Sequence, residues 1–255
     1  RKSGRTIDKH DSDARAKKRG YIVSGQDGKA GKLAVRMWGR LEKATGKATS
    51  IRVEKQYDSN IWLDSEASKR KVLLRMEPTT ILMGECCLQT PPLFIGNTDH
   101  IGVVGDNGCG KTTLIKKIIS SISDDVQTLY IPQEPTELQK KETVRKIKGL
   151  SNSQRGRVLS IVAQLNSDPD YVLAGESTSP GEMRKLMLAQ GMLDSPELIV
   201  MDEPTNYLDL GSTVALERLL SEYPGALLLV SHDFSLIDST TSIKWSIHRS
   251  NDNFE

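Results

Sequence analysis

The feature that most restricts what this chain can fold into is the octapeptide Gly105-Asp-Asn-Gly-Cys-Gly-Lys111-Thr112. It fits the phosphate-loop pattern of two glycines with four residues between them, followed by Lys and Ser/Thr. Such a loop needs a buried strand ahead of it and a helix behind it. The glycines let main-chain N–H groups close around phosphate oxygens, and the helix N-terminus adds a favourable dipole. Both neighbours are predicted: Ile101–Val104 is an apolar run, and Lys111–Ser121 has helical periodicity. The loop therefore demands an α/β architecture and predicts phosphate contacts from Gly105, Asp106, Asn107, Gly108, Cys109, Gly110, Lys111, Thr112 and Thr113. Lys111 would reach the β- and γ-phosphates, and the Thr112 hydroxyl would ligate Mg²⁺.

The rest of the second half supplies that architecture. Short apolar runs at Leu93–Ile95, Thr128–Ile131, Leu198–Met201 and Ala226–Val230 read as further strands. Those at Leu198–Met201 and Leu227–Val230 are apolar throughout, as strands buried on both faces must be. Helices are predicted at Ser153–Leu165, Gly181–Leu193 and Ser212–Tyr223. Strands alternating with helices give a mainly parallel sheet. A small helical subdomain is expected between about residues 134 and 195.

Polar residues fall at the carboxyl ends of these strands, where ligands bind in open α/β sheets. Asp202 and Glu203 end one buried strand, so Asp202 can hold Mg²⁺ while Glu203 polarises the attacking water as general base. His232 leaves the next buried strand and is expected at the γ-phosphate. Gln133, after Tyr130-Ile-Pro132, leaves a third and is expected to sense Mg²⁺ or water. From residue 75 to 101 no aromatic is clearly placed to stack on a base; Phe94 is the one weak candidate.

The first part of the chain is chemically different. Residues 1–75 carry 20 Lys/Arg against 9 Asp/Glu, a net +11, while the remainder carries 15 against 24, a net −9. The division predicts a basic linker over 1–75 and a nucleotide-binding domain over 76–255. Leu33, Met37, Leu41, Ala44 and Ala48 form an apolar stripe beside Lys29, Lys32, Arg36, Arg40, Lys43 and Lys47, an amphipathic helix over about 29–48 with a basic flank. A polyanionic partner and a solvated helix lying against the acidic domain both fit that charge. After Tyr57, Ile61 and Trp62 a charged connector is expected to run to Arg75. Cys86, Cys87 and Cys109 make no disulfide framework, no apolar run approaches the length of a membrane span, and the basic N-terminus lacks the apolar core of a secretory signal; a cytoplasmic setting is expected.

In this order, the elements from Thr79 to Ile247 resemble the ATP-binding-cassette superfamily. The resemblance identifies Gly105–Thr112 as the Walker A loop, Gln133 as the Q-loop glutamine, Asp202-Glu203 as the end of Walker B and His232 as the switch histidine. The signature is Thr178-Ser179-Pro180-Gly181-Glu182, which departs from the common Leu-Ser-Gly-Gly-Gln/Glu form at Thr178 and Pro180. It keeps Ser179 and Gly181, which in the family reach the γ-phosphate of a nucleotide bound to another cassette, and Glu182 beside them. Asp202-Glu-Pro-Thr-Asn-Tyr-Leu-Asp209, Ser179-Pro-Gly-Glu-Met-Arg-Lys-Leu186 and the linker segments Gly28–Leu33, Gly39–Lys43 and Tyr57–Trp62 resemble the ABC-F branch in particular, with Tyr207 where His is common.

That resemblance implies an ATPase using ATP and Mg²⁺ at a composite site, with a second cassette as partner. The second cassette would come from an upstream half of the same protein or from a homodimer of this fragment. It also implies binding to the ribosome, its rRNA and tRNA, through residues 1–55, in translation or antibiotic resistance. The alternative is the cytoplasmic nucleotide-binding subunit of an ABC transporter. A nucleic-acid-repair ATPase is disfavoured, because the stretch from Gln133 to Thr178 is too short for its coiled coil.

Overall fold

The apolar runs Leu198–Asp202 and Ala226–Val230 are buried along their whole length, Asp202 included, and they form the middle of the molecule. The fold is that of a computed structural model, which describes residues 66–84, 86–168, 179–250 and 253–254. The basic linker through residue 55, its amphipathic helix at 29–48 and Thr178 of the signature lie outside the described residues. Those residues belong to one compact unit, Asp58–Glu255.

In chain order the elements are strands β1 (Val72–Met76), β2 (Thr79–Met83), β3 (Cys86–Thr90), β4 (Leu93–Gly96) and β5 (His100–Gly105), then helix α1 (Lys111–Ser121). Strand β6 (Thr128–Ile131) leads to helices α2 (Glu137–Lys148), α3 (Asn152–Gln164) and α4 (Pro180–Gly191) and a 3₁₀ turn at Met192–Asp194. Then come β7 (Leu198–Asp202), α5 (Leu210–Ser221), β8 (Ala226–Val230), α6 (Phe234–Thr240), β9 (Ile243–Ile247), β10 (Arg249–Ser250) and β11 (Asn253–Phe254).

The central sheet is parallel, in the order β6-β7-β8-β5-β9. Because side chains alternate across a strand, it separates two cores. Ile199, Met201, Leu227 and Leu229 face α3, α4, α5 and α6, whereas Leu198, Val200, Leu228 and Val230 face α1, β1 and β4. The phosphate loop joins the second core through Cys109, which is 1% exposed.

Two antiparallel assemblies accompany this sheet. Strand β1 pairs with β4 across a register irregularity between Val72 and Leu74, and β2 pairs with β3 in the sheet ordered β10-β11-β3-β2. The connector expected to run to Arg75 is thus corrected: Val72–Met76 is a strand whose Leu73, Leu74 and Met76 are buried. Helix α2, within the expected helical subdomain but not among the helices named from sequence, buries only Thr143 and Ile147. It begins at a capping box in which Thr136 accepts from the Gln139 N–H and the Gln139 side chain accepts from the Thr136 N–H. Among the described residues no helix is long and apolar enough to cross a membrane.

Candidate functional site

Strands β5, β7 and β8 release their chains at the same edge of the sheet, so residues far apart in sequence meet there. The result is a cleft of about 500 Å³. It is lined by Asn107, Gly108, Gly110, Lys111, Thr112, Thr113, Gln133, Asp202, Glu203 and His232, together with Met83 and Asn206. All the former were expected from sequence; Met83 and Asn206 were not. Gly105, Asp106 and Cys109 stand behind the lining. The Cys109 N–H closes the loop on the Asp106 carbonyl at 3.3 Å, and its side chain packs into the core. Phe94 does not line the cleft and is 51% exposed on β4. Met83, at the end of β2, holds the position facing the loop.

The loop needs its glycines for conformation and for space. Gly110, the N-cap of α1, has φ +99°, and a Cβ there would come within 2.4 Å of the Met83 Sδ. Gly108 has φ +79°. Lys111 is buried, and its Nζ donates to the carbonyls of Gly105 at 2.8 Å and Asp106 at 2.9 Å. These two bonds curl the side chain along the loop and hold the cation at the cleft.

The Thr112 hydroxyl donates to Asp202 Oδ2 at 2.8 Å. Two oxygen donors on separate elements therefore meet at one point, which suits a small, hard cation completed by ligand oxygens and water. Among the described residues no group of three or more His, Cys, Asp or Glu side chains forms a cage of its own.

Glu203 is 6% exposed and has φ +48°, an uncommon left-handed backbone for a side chain of its size. Its N–H donates to the Val230 carbonyl at 2.7 Å, and Oε2 accepts from the His232 N–H at 3.2 Å. Oε1 lies 3.2 Å from His232 Nε2 without the alignment of a hydrogen bond and has no other protein partner. The residue belongs to the cleft lining, so this buried, incompletely satisfied carboxylate stands where a proton acceptor for a bound water is needed. Tyr130 stands behind this wall, its phenol pKa raised by burial and by the Asp202 charge, with Arg184 opposing.

The signature residues lie apart from this cleft. Ser179 caps α4 by accepting from the Glu182 N–H at 3.2 Å, Pro180 occupies the first turn, and Glu182 pairs with Lys185 at 3.0 Å. Ser179, Gly181 and Glu182 are therefore not brought to the loop of their own chain. Gly181 instead packs against the segment after Glu203: a Cβ there would lie 2.5 Å from the Tyr207 carbonyl oxygen.

Fold and cleft together define the class, an α/β P-loop ATPase domain of the cassette type. Comparison with known proteins agrees. Residues 93–206 match the family model described as ABC transporter. The ribosome protection protein VmlR of Bacillus subtilis is 31% identical over 216 residues, which are 80% of this chain and 40% of that protein. The ATP-binding protein Uup of Haemophilus influenzae is 30% identical over 201 residues, 72% of this chain and 31% of that one. Among solved structures, an archaeal ribosome recycling factor in complex with a ribosomal stalk protein aligns with a TM-score of 0.56 at 25% identity, over 73% of this chain and 39% of the other. The ATP-binding subunit of an ABC transporter aligns with a TM-score of 0.54 at 24% identity, over 71% and 87%. The chain belongs to the ATP-binding-cassette family, and the two sequence relatives just named, VmlR and Uup, are ABC-F members of it. It spans 40% and 31% of the lengths of those two relatives.

Proposed function

We propose that the chain is the C-terminal cassette of an ABC-F protein, joined to a basic linker that ends before strand β1, and that it couples ATP hydrolysis to binding of the ribosome. The observation that carries the ATPase reading is the meeting of Lys111 and the Thr112–Asp202 pair with buried Glu203 in one cleft. Lys111 would bind the β- and γ-phosphates, while Thr112 and Asp202, with Gln133 near them, would hold Mg²⁺. The cation, when bound, neutralises charge on the phosphoryl oxygens. Glu203 takes a proton on its carboxylate from the attacking water, and His232, 3.2 Å from Oε1, braces that carboxylate at the γ-phosphate end.

Ser179, Gly181 and Glu182 lie outside the cleft, which supports a composite site. Each nucleotide would be closed by the signature of a second cassette, from an upstream half of the same polypeptide or a second copy of this chain. The isolated monomer is then expected to bind ATP and hydrolyse it poorly. The ribosomal destination, through rRNA or tRNA contacts of residues 1–55 in a cytoplasmic protein, is supported by similarity to a ribosome protection protein over 80% of the chain and by the +11 charge of residues 1–75. Translation and antibiotic resistance are both compatible with it.

The test is ribosome pelleting of the whole protein carrying Glu203→Gln. ATP-dependent trapping on ribosomes is expected, because removing the proton acceptor stalls the closed state. Equal pelleting with and without ATP, or ribosome binding unchanged after deletion of residues 1–55, refutes the proposal. A transporter motor is the second reading, favoured by 29% identity over 188 residues to the zinc import ATP-binding protein ZnuC of Pseudomonas fluorescens. Co-purification with an integral membrane protein would support it.

A further inference from the structure

Two residues after the signature, Arg184 of α4 is 3% exposed. It does not line the cleft, and among the described residues it makes no direct pair with a carboxylate. Its Nη2 donates to the carbonyls of Asp202 and Glu203, each at 2.8 Å, and its Nη1 donates to the Asn206 carbonyl at 3.2 Å. Three main-chain oxygens from one short segment thus converge on one guanidinium. The segment has unusual backbone at two points: φ is +48° at Glu203 and +65° at Tyr207. Such conformations persist when their surroundings over-determine them.

Those surroundings are explicit here. The Glu203 N–H is held by β8 through Val230, and its carbonyl is held by α4 through Arg184. With both flanking peptides fixed, the direction in which the Glu203 side chain leaves the backbone is fixed too. Gly181 lets α4 approach until only a hydrogen fits against the Tyr207 carbonyl. Burial lowers the Arg184 pKa, and the nearby Asp202 and Glu203 charges oppose that shift. A lysine could not reproduce the contact, because an ammonium is a point donor and these carbonyls match the spread of a planar fork. Neighbouring Lys185 is already committed to Ser167, Glu182 and Ser212.

We propose that Arg184 is a positioning residue: from the signature helix it fixes the Asp202–Asn206 backbone, and through it the Glu203 carboxylate of the same cassette. A shift of α4, when its signature end engages a nucleotide held by the partner, is then felt at this cassette's own hydrolytic site. The proposal rests on the reading of Glu203 as proton acceptor.

The test compares the full chain with Arg184→Lys, Arg184→Met and Glu203→Gln. It measures ATP affinity, Mg²⁺-ATP turnover and amide exchange. Both Arg184 variants are expected to bind ATP within twofold of wild type. Turnover should fall by about 10- to 100-fold at unchanged KM, the scale of a misplaced catalytic group. Exchange should rise about tenfold at Asn206 and Leu208, whose N–H groups close turns onto Glu203 and Thr205. Unchanged exchange at those amides in folded Arg184→Lys overturns the proposal. So does a loss of stability with kcat and KM intact. If Arg184→Met does not fold, the lysine variant decides; if wild-type turnover is below detection, exchange decides. Wild-type turnover in Glu203→Gln would sink the proton-acceptor reading instead, a result the exchange data do not share.

Discussion

Replacing Gly110 by alanine tests the phosphate loop at its tightest point, and the structure allows the cost to be divided. The φ of +99° is one that an L side chain rarely adopts, at about 1–2 kcal/mol. The added methyl would also meet the Met83 Sδ at 2.4 Å and Cε at 3.0 Å. Overpacking of this kind costs about 1–3 kcal/mol, towards the lower figure where the obstacle is the end of a flexible, half-buried side chain. Gly110→Ala is therefore expected to destabilise the chain by about 2–4 kcal/mol. Met83→Ala removes the obstacle and leaves the backbone problem untouched. In the double variant the Gly110→Ala penalty should fall to about 1–2 kcal/mol, a coupling of about 1 kcal/mol or more between the sites. Urea denaturation of the four proteins measures it, with slopes compared to confirm that the unfolded states are equivalent. Additive penalties would refute the packing of Met83 against the loop. A neutral Gly110→Ala would refute the loop conformation itself.

Other perturbations address the same machinery. Thr112→Val deletes a hydrogen bond to the Asp202 carboxylate and should cost about 1.5–3 kcal/mol in denaturation; it should also remove most of the Mg²⁺-dependent gain in ATP affinity, measured with a fluorescent nucleotide. Asp209→Ala removes the N-cap of α5, whose carboxylate accepts from the Ser212 N–H at 2.7 Å, and should cost about 1 kcal/mol at neutral pH. That hydrogen bond lowers the Asp209 pKa in the folded state. The unfolded state therefore binds the proton first, and the stabilisation is present above the ordinary aspartate pKa of about 3.9. It is lost as pH falls through the lower folded value, so the two denaturation curves should converge in acid.

How far the sequence could be read depended on whether the deciding contacts were local. Lys111–Ser121 forms a helix with the expected bounds because loop, cap and periodicity lie within one stretch. Strands Thr128–Ile131 and Ala226–Val230 likewise keep their expected limits. Among the missed strands, β1, β2 and β3 are short, separated by Pro78 and Gly84, and defined by their partners, and β9 is defined by its pairing with β5. Helix α2 could have been found from Thr136 and Gln139, a capping pair that periodicity does not register. In the cleft, Lys111, Thr112, Asp202 and Glu203 announce themselves by motif. Met83 does not, since an isolated methionine before a turn has no chemical signature until the loop is folded against it. Arg184 was legible only as part of a helix, because its acceptors are main-chain carbonyls 18 to 22 residues downstream.

The alternation along β7 and β8 has a further consequence. The sheet is one residue thick, and neighbouring residues report to opposite sides: Leu228 to the side of α1 and the phosphate loop, Leu229 to the side of the signature helix. Adjacent codons in this chain therefore govern different halves of the machine. A substitution that loosens the phosphate loop need not disturb α4, and the reverse holds one residue along. The two sides meet again only at the carboxyl ends of these strands, around Asp202 and Glu203, where a defect on either face converges.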